Sequence, residues 1–228
     1  MPKLTYIGHS AFVLEDEDGH VVAIDPFITG NPVATIPASE VKPTTILVTH
    51  AHNDHVGDAM ELAREHGAGI ITTVELADWM ESQGVANVTG ANHGGTVAFP
   101  HGTVKLTQAW HSSSYWDGEK KVAHGIPAGM IVRFGGTTFY FVNDGPEHAL
   151  ALARESAGSR DVRIAGGADA IQQYLNLGVV EELEIALGAV LFGEGRRLFE
   201  NLHEPLPHFR IDRVFAGSGA THIRYVRA

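Results

Sequence analysis

The stretch Pro43-Thr44-Thr45-Ile46-Leu47-Val48-Thr49-His50-Ala51-His52-Asn53-Asp54-His55-Val56-Gly57-Asp58 joins an apolar, β-branched run to a cluster of metal-ligand residue types. Thr45 to Thr49 has the pattern expected of a strand buried on both faces, as in a parallel sheet. The cluster, three histidines and one aspartate within six residues, lies directly at its carboxyl end. Consecutive side chains diverge on a strand but converge on a tight loop. The spacing therefore lets His50 and His52 face one cation while Asp54 and His55 face a second, at the ~3.5–4 Å separation of two-metal sites. Isolated histidine pairs in loops are commonly just solvated. Four such groups crowded at a strand end carry a desolvation cost that a cation would offset.

Upstream, Lys3 to Ile7, Ala11 to Glu15 and Val21 to Ile24 alternate with turn residues at Asp16 to His20 and at Asp25-Pro26, which predicts a β-meander. Downstream, Asp58 to His66 places Ala59, Leu62 and Ala63 at helical spacing, and Gly67 ends the helix. Further strands are expected at Ile70 to Thr73, Val104 to Ala109, Met130 to Phe134 and Thr138 to Val142, with a helix at Val74 to Gln83. His111 and Asp144 each follow one of these strands. Strand ends gather into one crevice, so His111 can complete a three-imidazole set with His50 and His52, and Asp144 can bridge two cations. Asp25 is either a hydrogen-bonding brace for the histidine loop or a ligand, and His9 is a candidate for the shell behind the ligands. His20, His66, His93, His101 and His124 lack a partner at ligand spacing and read as surface or turn residues.

Composition narrows the chemistry. The chain has 228 residues, 44% of them apolar, enough for one large domain or two small ones. With no cysteine, any metal must be held by imidazole and carboxylate. The formal charge of −11 repels a phosphate backbone, so nucleic acid is a poor partner. No window approaches the ~18 apolar residues that span a bilayer, and no secretory signal opens the chain; a cytoplasmic protein without membrane contact is expected. Through Asp144 there are 7 Lys and Arg against 16 Asp and Glu, and after it 9 against 11. Ten of the 14 histidines lie in the first part, so two regions with different duties are expected, 1–144 and 145–228.

The segments Tyr6-Ile7-Gly8-His9-Ser10, Ile24 to Pro32, Ile46 to Asp58 and Ala109-Trp110-His111-Ser112-Ser113 together resemble the metallo-β-lactamase superfamily. The nearest branch is that of small metal-dependent hydrolases akin to ascorbate-6-phosphate lactonase. The likeness covers residues 1–144. It implies that His50, His52 and His111 hold one metal and that Asp54, His55 and Asp144 serve the other. The family's second half, which ends in a His within a Pro-x-His-Tyr-like motif, has no clear counterpart, and Pro207-His208-Phe209 is only a superficial match.

After Asn143 the sequence changes to helix (Glu147 to Ala157), strand (Val162 to Ala165), helix (Ala168 to Leu177), strand (Leu183 to Val190) and two strands within Ile211 to Val226. Val162 to Ala168, Gln173-Tyr174-Leu175, Val190 to Phe199 and Gly219 to Tyr225 are similar to the carboxyl-terminal half of the dihydrofolate-reductase-like domain of bacterial riboflavin-biosynthesis reductases. That resemblance implies that Gly166 and Gly167 let backbone N–H groups approach the phosphates of NADPH; a plain strand-to-helix turn would use the same glycines. The expected fold is therefore α/β, a metallo-β-lactamase-like αββα half joined to a reductase-like α/β half. The expected function is hydrolysis of an ester, lactone, amide or phosphodiester bond in a small-molecule substrate. One or two Zn²⁺ ions, or Mn²⁺ or Fe, would activate water, with Asp54 as proton acceptor and with His9 and the hydroxyls of Ser112, Ser113 and Ser114 meeting developing negative charge. The alternatives are an NADPH-binding module, or a hybrid that holds metal without turnover. A sheet cut in half exposes an edge, which the second part or a homodimer partner would cover.

Overall fold

In the computed structural model the chain opens with the antiparallel meander β1 (Lys3–Gly8), β2 (Ala11–Glu15) and β3 (Val21–Ile24). β4 (Thr45–Leu47) then pairs in parallel with β3, and two short helices follow it, α1 (Asn53–Val56) and α2 (Ala59–His66). β5 (Gly69–Thr73), α3 (Val74–Ser82) and β6 (Val88–Ala91) complete a six-stranded sheet in the order β1-β2-β3-β4-β5-β6. A second sheet holds β7 (Thr96–Phe99) and β8 (Gly102–Gln108). After the small hairpin β9 (Ser114–Trp116) and β10 (Lys121–Ala123), it gains β11 (Ala128–Phe134) and β12 (Thr137–Phe141), in the order β12-β11-β8-β7. Residues 2–141, 146–164, 168–188, 197–217 and 219–228 are described.

The period-2 geometry of strands explains the layering. Ala23, Ile46 and Ile70 point to one face of the six-stranded sheet and pack with Leu62 of α2 and Leu76 and Met80 of α3. Val22, Ile24, Leu47 and Ile71 point to the other face and pack with Val104, Leu106, Met130, Val132 and Phe134 of the second sheet. A helix layer, a six-stranded sheet and a four-stranded sheet result. β4 is buried along its whole length, as its unbroken apolar run predicts for a strand covered on both faces.

Two compact units divide the chain, Met1–Asp144 and Gly145–Ala228. The second contains α4 (Pro146–Ala157), α5 (Ala168–Asn176) and an antiparallel sheet of β13 (Glu182–Gly188), β14 (Phe209–Ala216) and β15 (Ala220–Arg227), in the order β13-β15-β14. Within this unit the Gln172 amide donates to the Arg197 carbonyl at 2.7 Å, and Asn176 donates to the Asn201 carbonyl at 2.9 Å. The strand expected at Val162 to Ala165 does not form over the described residues 162–164, which have no regular structure. Their alternating exposure imitates a strand, but no ladder partner is present among the described residues. No described helix is long and apolar enough to cross a membrane.

Candidate metal centre

The parallel strands β3 and β4 end side by side, and the backbone N–H of Asp25 donates to the Leu47 carbonyl at 2.9 Å. That register puts Asp25 beside Thr49. The Asp25 carboxylate accepts from the Thr49 N–H at 2.7 Å, from the Thr49 hydroxyl at 2.7 Å and from His55 Nδ1 at 2.8 Å. Because the Thr49 hydroxyl gives its proton to Asp25, its oxygen is left to accept from His50 Nδ1, 2.9 Å away. One buried carboxylate thereby fixes the tautomers of two imidazoles and leaves Nε2 of both His50 and His55 with a free lone pair, the arrangement expected behind metal-ligating histidines. Asp25, between brace and ligand in the sequence, stands here as the brace.

His50 Nε2 faces His52 Nδ1 at 3.0 Å. The His111 ring lies edge-on to both, with centroids 4.9 Å from His50 and 5.0 Å from His52. Donor atoms of these three histidines lie within 4.8 Å of one another, and those of His9, Asp54 and His55 form a second such group. His9 Nε2 is 3.2 Å from Asp54 Oδ2, and its ring meets that of His55 edge-on. The segment expected as a loop is partly the one-turn helix α1, which starts right after His52 and turns Asp54 and His55 toward His9. Both His9 (φ +56°) and Asp25 (φ +44°) occupy the left-handed region, a strained state for these residues that the surrounding contacts must enforce.

Electrostatics suits cation binding. Burial, together with the neighbouring His55, His52 and His111, pushes the His50 pKa down to about 2. Burial and then His111 also lower His52, against a smaller pull from Asp54. Both imidazoles are therefore neutral donors at neutral pH. Burial is the largest single influence on His55 and opposes its charge, but the hydrogen bond and charge of Asp25, with Asp54 behind them, outweigh it and raise its pKa. The free lone pair of His50 Nε2 faces His52 Nδ1 at 3.0 Å, a spacing that either a proton on His52 Nδ1 or a cation bridges, and neutral imidazoles beside a carboxylate fit a divalent ion.

Ser113, one of the three hydroxyls at 112–114 expected to meet developing negative charge, is instead engaged by the backbone, and Asn53 and Asp58 are site residues that sequence reasoning did not single out. Ser113 accepts from the Ala51 N–H at 3.1 Å and donates to the His124 carbonyl at 3.0 Å, which ties the His111 loop to the histidine cluster. Asn53 clamps Trp116, donating to its carbonyl at 3.0 Å and accepting its N–H at 2.9 Å. Asp58 accepts the N–H groups of Ile28 and Thr29 at 2.9 and 2.8 Å and so shapes the loop after β3. Spacing within the sequence gives no signal for such long-range bonds. Asp144, Gly166 and Gly167 lie outside the described residues.

A family model described as a beta-lactamase superfamily domain matches residues 20–172. The chain belongs to that family. The match runs past Asp144 into the region that resembles reductases in sequence. A UPF0173 metal-dependent hydrolase of Geobacillus thermodenitrificans is 43% identical over 143 residues, 62% of this chain and 62% of its own length. Another UPF0173 metal-dependent hydrolase, of Deinococcus radiodurans, is 39% identical over 168 residues, 72% of this chain and 70% of its own. The chain thus spans less than two thirds of the Geobacillus relative. Among solved structures, Igni18, a metallo hydrolase of Ignicoccus hospitalis, aligns with a TM-score of 0.52 at 36% identity over 61% of this chain and 59% of its own. CmlA, a diiron beta-hydroxylase of Streptomyces venezuelae, aligns with a TM-score of 0.51 at 17% identity over 70% of this chain and 33% of its own, a likeness of fold alone. None of these matches supports the reductase-like reading of residues 145–228.

Proposed function

We propose that the chain is a metal-dependent hydrolase acting on an ester, lactone, amide or phosphodiester bond of a small-molecule substrate. The observation that carries this reading is the convergence of His50, His52 and His111, drawn from the ends of strands in two different sheets, with donor atoms within 4.8 Å. These three would hold one divalent cation, zinc by the imidazole-rich donor set, or manganese or iron where carboxylates dominate. Asp54 and His55, with His9 beside them and Asp144 from outside the described residues, would serve a second. A cation so held lowers the pKa of a water toward ~7 and polarises the oxygen of the scissile bond.

The remaining work falls to the chain's own side chains. Asp54, with one carboxylate oxygen 3.2 Å from His9 Nε2, is the acceptor for a proton from attacking water. Asp25 holds His50, through Thr49, and His55 in fixed orientations. Of the hydroxyls of Ser112, Ser113 and Ser114, that of Ser113 is engaged with Ala51 and His124, whereas Ser112, at 3.1 Å from His52 Nε2, is the one beside the histidines that would meet developing negative charge with His9. Metal analysis by mass spectrometry, on protein purified without chelator, tests the assignment: His50→Ala/His52→Ala should lose at least one equivalent of metal together with esterase and phosphodiesterase activity. Full metal retention would reject it. Bound metal in the unaltered chain with no hydrolysis of either substrate class would favour a centre that has lost turnover.

Two further readings concern the rest of the molecule. The resemblance of residues 145–228 to a reductase supports NADPH binding there, and a fluorescence titration with no binding at millimolar cofactor would remove that reading. A homodimer is the assembly we propose, and light scattering that returns the monomer mass would exclude it.

A further inference from the structure

His20 and Asp25 bracket β3, and His101 and His111 bracket β8, so each of these strands has a histidine at the end opposite the candidate centre. His20 lies in the β2–β3 turn of the six-stranded sheet and His101 in the β7–β8 turn of the four-stranded sheet. The two turns meet. The imidazoles of His20 and His101 stack with centroids 3.2 Å apart and planes inclined by 21°. Asp16 and Asp18 lie beside them, and one donor atom from each of the four residues falls within 4.8 Å of the others.

Local turn chemistry explains only part of this cluster. Asp16 Oδ1 accepts the N–H groups of Asp18 at 3.1 Å and His20 at 2.8 Å, as an Asp at the start of a tight turn commonly does. Its carboxylate also contacts His20 Nδ1, at 2.9 Å from Oδ2, and its side chain is only 8% exposed. The turn has no need of Asp18's carboxylate or of a second imidazole from another sheet. His101 reaches the cluster from a left-handed backbone, φ +67°, and its ring stacks on that of His20. Two imidazoles and two carboxylates are a complete tetrahedral donor set for zinc, and the carboxylates neutralise the ion's charge.

We propose that Asp16, Asp18, His20 and His101 form a separate structural site for a divalent transition ion of the zinc class, which staples the two sheets together at the end of the sandwich away from His50, His52 and His111. All four protein ligands are supplied, so the site is of the closed, structural kind, with no position kept for a substrate. The ion links segments far apart in sequence and stabilises the folded unit by binding it alone.

The test uses the full chain and zinc alone. Zinc per chain is measured after gel filtration in the unaltered protein, in His20→Ala/His101→Ala and in His50→Ala/His52→Ala, with imidazole ¹H–¹⁵N spectra recorded during zinc titration. The first double variant should hold one zinc fewer than the unaltered protein and show a smaller zinc-dependent rise in Tm. The His20 and His101 signals should shift on zinc addition in the His50→Ala/His52→Ala background as well, so this site and the candidate catalytic centre stand or fall separately. Asp18→Asn, which keeps the backbone of the turn, should weaken zinc binding at this site by about tenfold or more. Equal zinc content in the unaltered chain and His20→Ala/His101→Ala, or His20 and His101 signals unmoved at saturating zinc, would overturn the proposal.

Discussion

The unit Met1–Asp144 buries apolar side chains on both faces of its six-stranded sheet, whereas the sheet of Gly145–Ala228 leaves large ones in water. Ile46 and Leu47 are fully buried on opposite faces of β4, while Ile211 is 59%, Val214 53% and Phe215 45% exposed on β14. The contrast teaches where a metal centre can be built. Ligands need rotamers locked by packing and by hydrogen bonds behind them, which, among the described residues, the buried strand ends of the layered unit supply. Apolar side chains scattered on an exposed sheet carry little burial energy of their own.

The largest expected effect contrasts the two sheets directly. Met130→Ala, in the core between the layers, should destabilise the first unit by about 2–5 kcal/mol. Val214→Ala should change stability by no more than about 0.5 kcal/mol, as for other exposed positions. Urea unfolding curves of the two variants measure the difference, and equal shifts would break the comparison. Gly57 comes next. It has φ +41°, and a Cβ there would meet Phe27 Cα and the Pro26 carbonyl, with Phe27 N at 2.7 Å. Gly57→Ala should therefore cost about 1–3 kcal/mol and lower the metal content, because it displaces the turn directly behind His55.

Thr49→Val separates packing from orientation. The substitution keeps the volume but removes the hydroxyl that relays Asp25 to His50, and metal affinity should fall about 10–100-fold with the fold retained by circular dichroism. Unchanged affinity would show that Asp25 does not set the His50 tautomer.

In the metal-free chain, pH supplies a smaller test. The His50 pKa is pushed down to about 2 from the ordinary 6.5, so below pH 6.5 the unfolded chain takes up a proton that the folded chain refuses. This contribution is harmless above that pH and destabilises as the pH falls, by up to about 1.4 kcal/mol per unit. His55 runs the other way: its raised pKa contributes stability that is present at low pH and is lost as the pH rises through the folded value. Urea midpoints taken from pH 7 down to pH 5 should fall less steeply in His50→Asn than in the unaltered chain.

Much of the first unit was legible because its signals are local. The meander, β4 and the helix after Asp58 follow from alternation, an unbroken β-branched run and 3.6-residue spacing. β6, β7, β9 and β10 escaped notice because each has only three or four residues, and short mixed segments carry no clear period. Val162 to Ile164 failed in the opposite sense, since alternation without a neighbouring strand makes no ladder. At the centre, the crowding of His50, His52, Asp54 and His55 was legible from spacing, but the approach of His9, the clamp of Asn53 on Trp116 and the bonds of Ser113 depend on tertiary contacts. His20 and His101 show the same limit: Asp16 and Asp18 lie close to His20 in sequence, but nothing in the spacing joins them to His101, and the two imidazoles meet only when two sheets stack.

The central claim is that His50, His52 and His111 share one cation. Zinc K-edge X-ray absorption tests it most directly, on zinc-loaded His20→Ala/His101→Ala protein so that imidazoles from the far end of the sandwich do not contribute. The account predicts scattering from several imidazole ligands that diminishes when His111→Ala is added. An identical spectrum with and without His111 would contradict it.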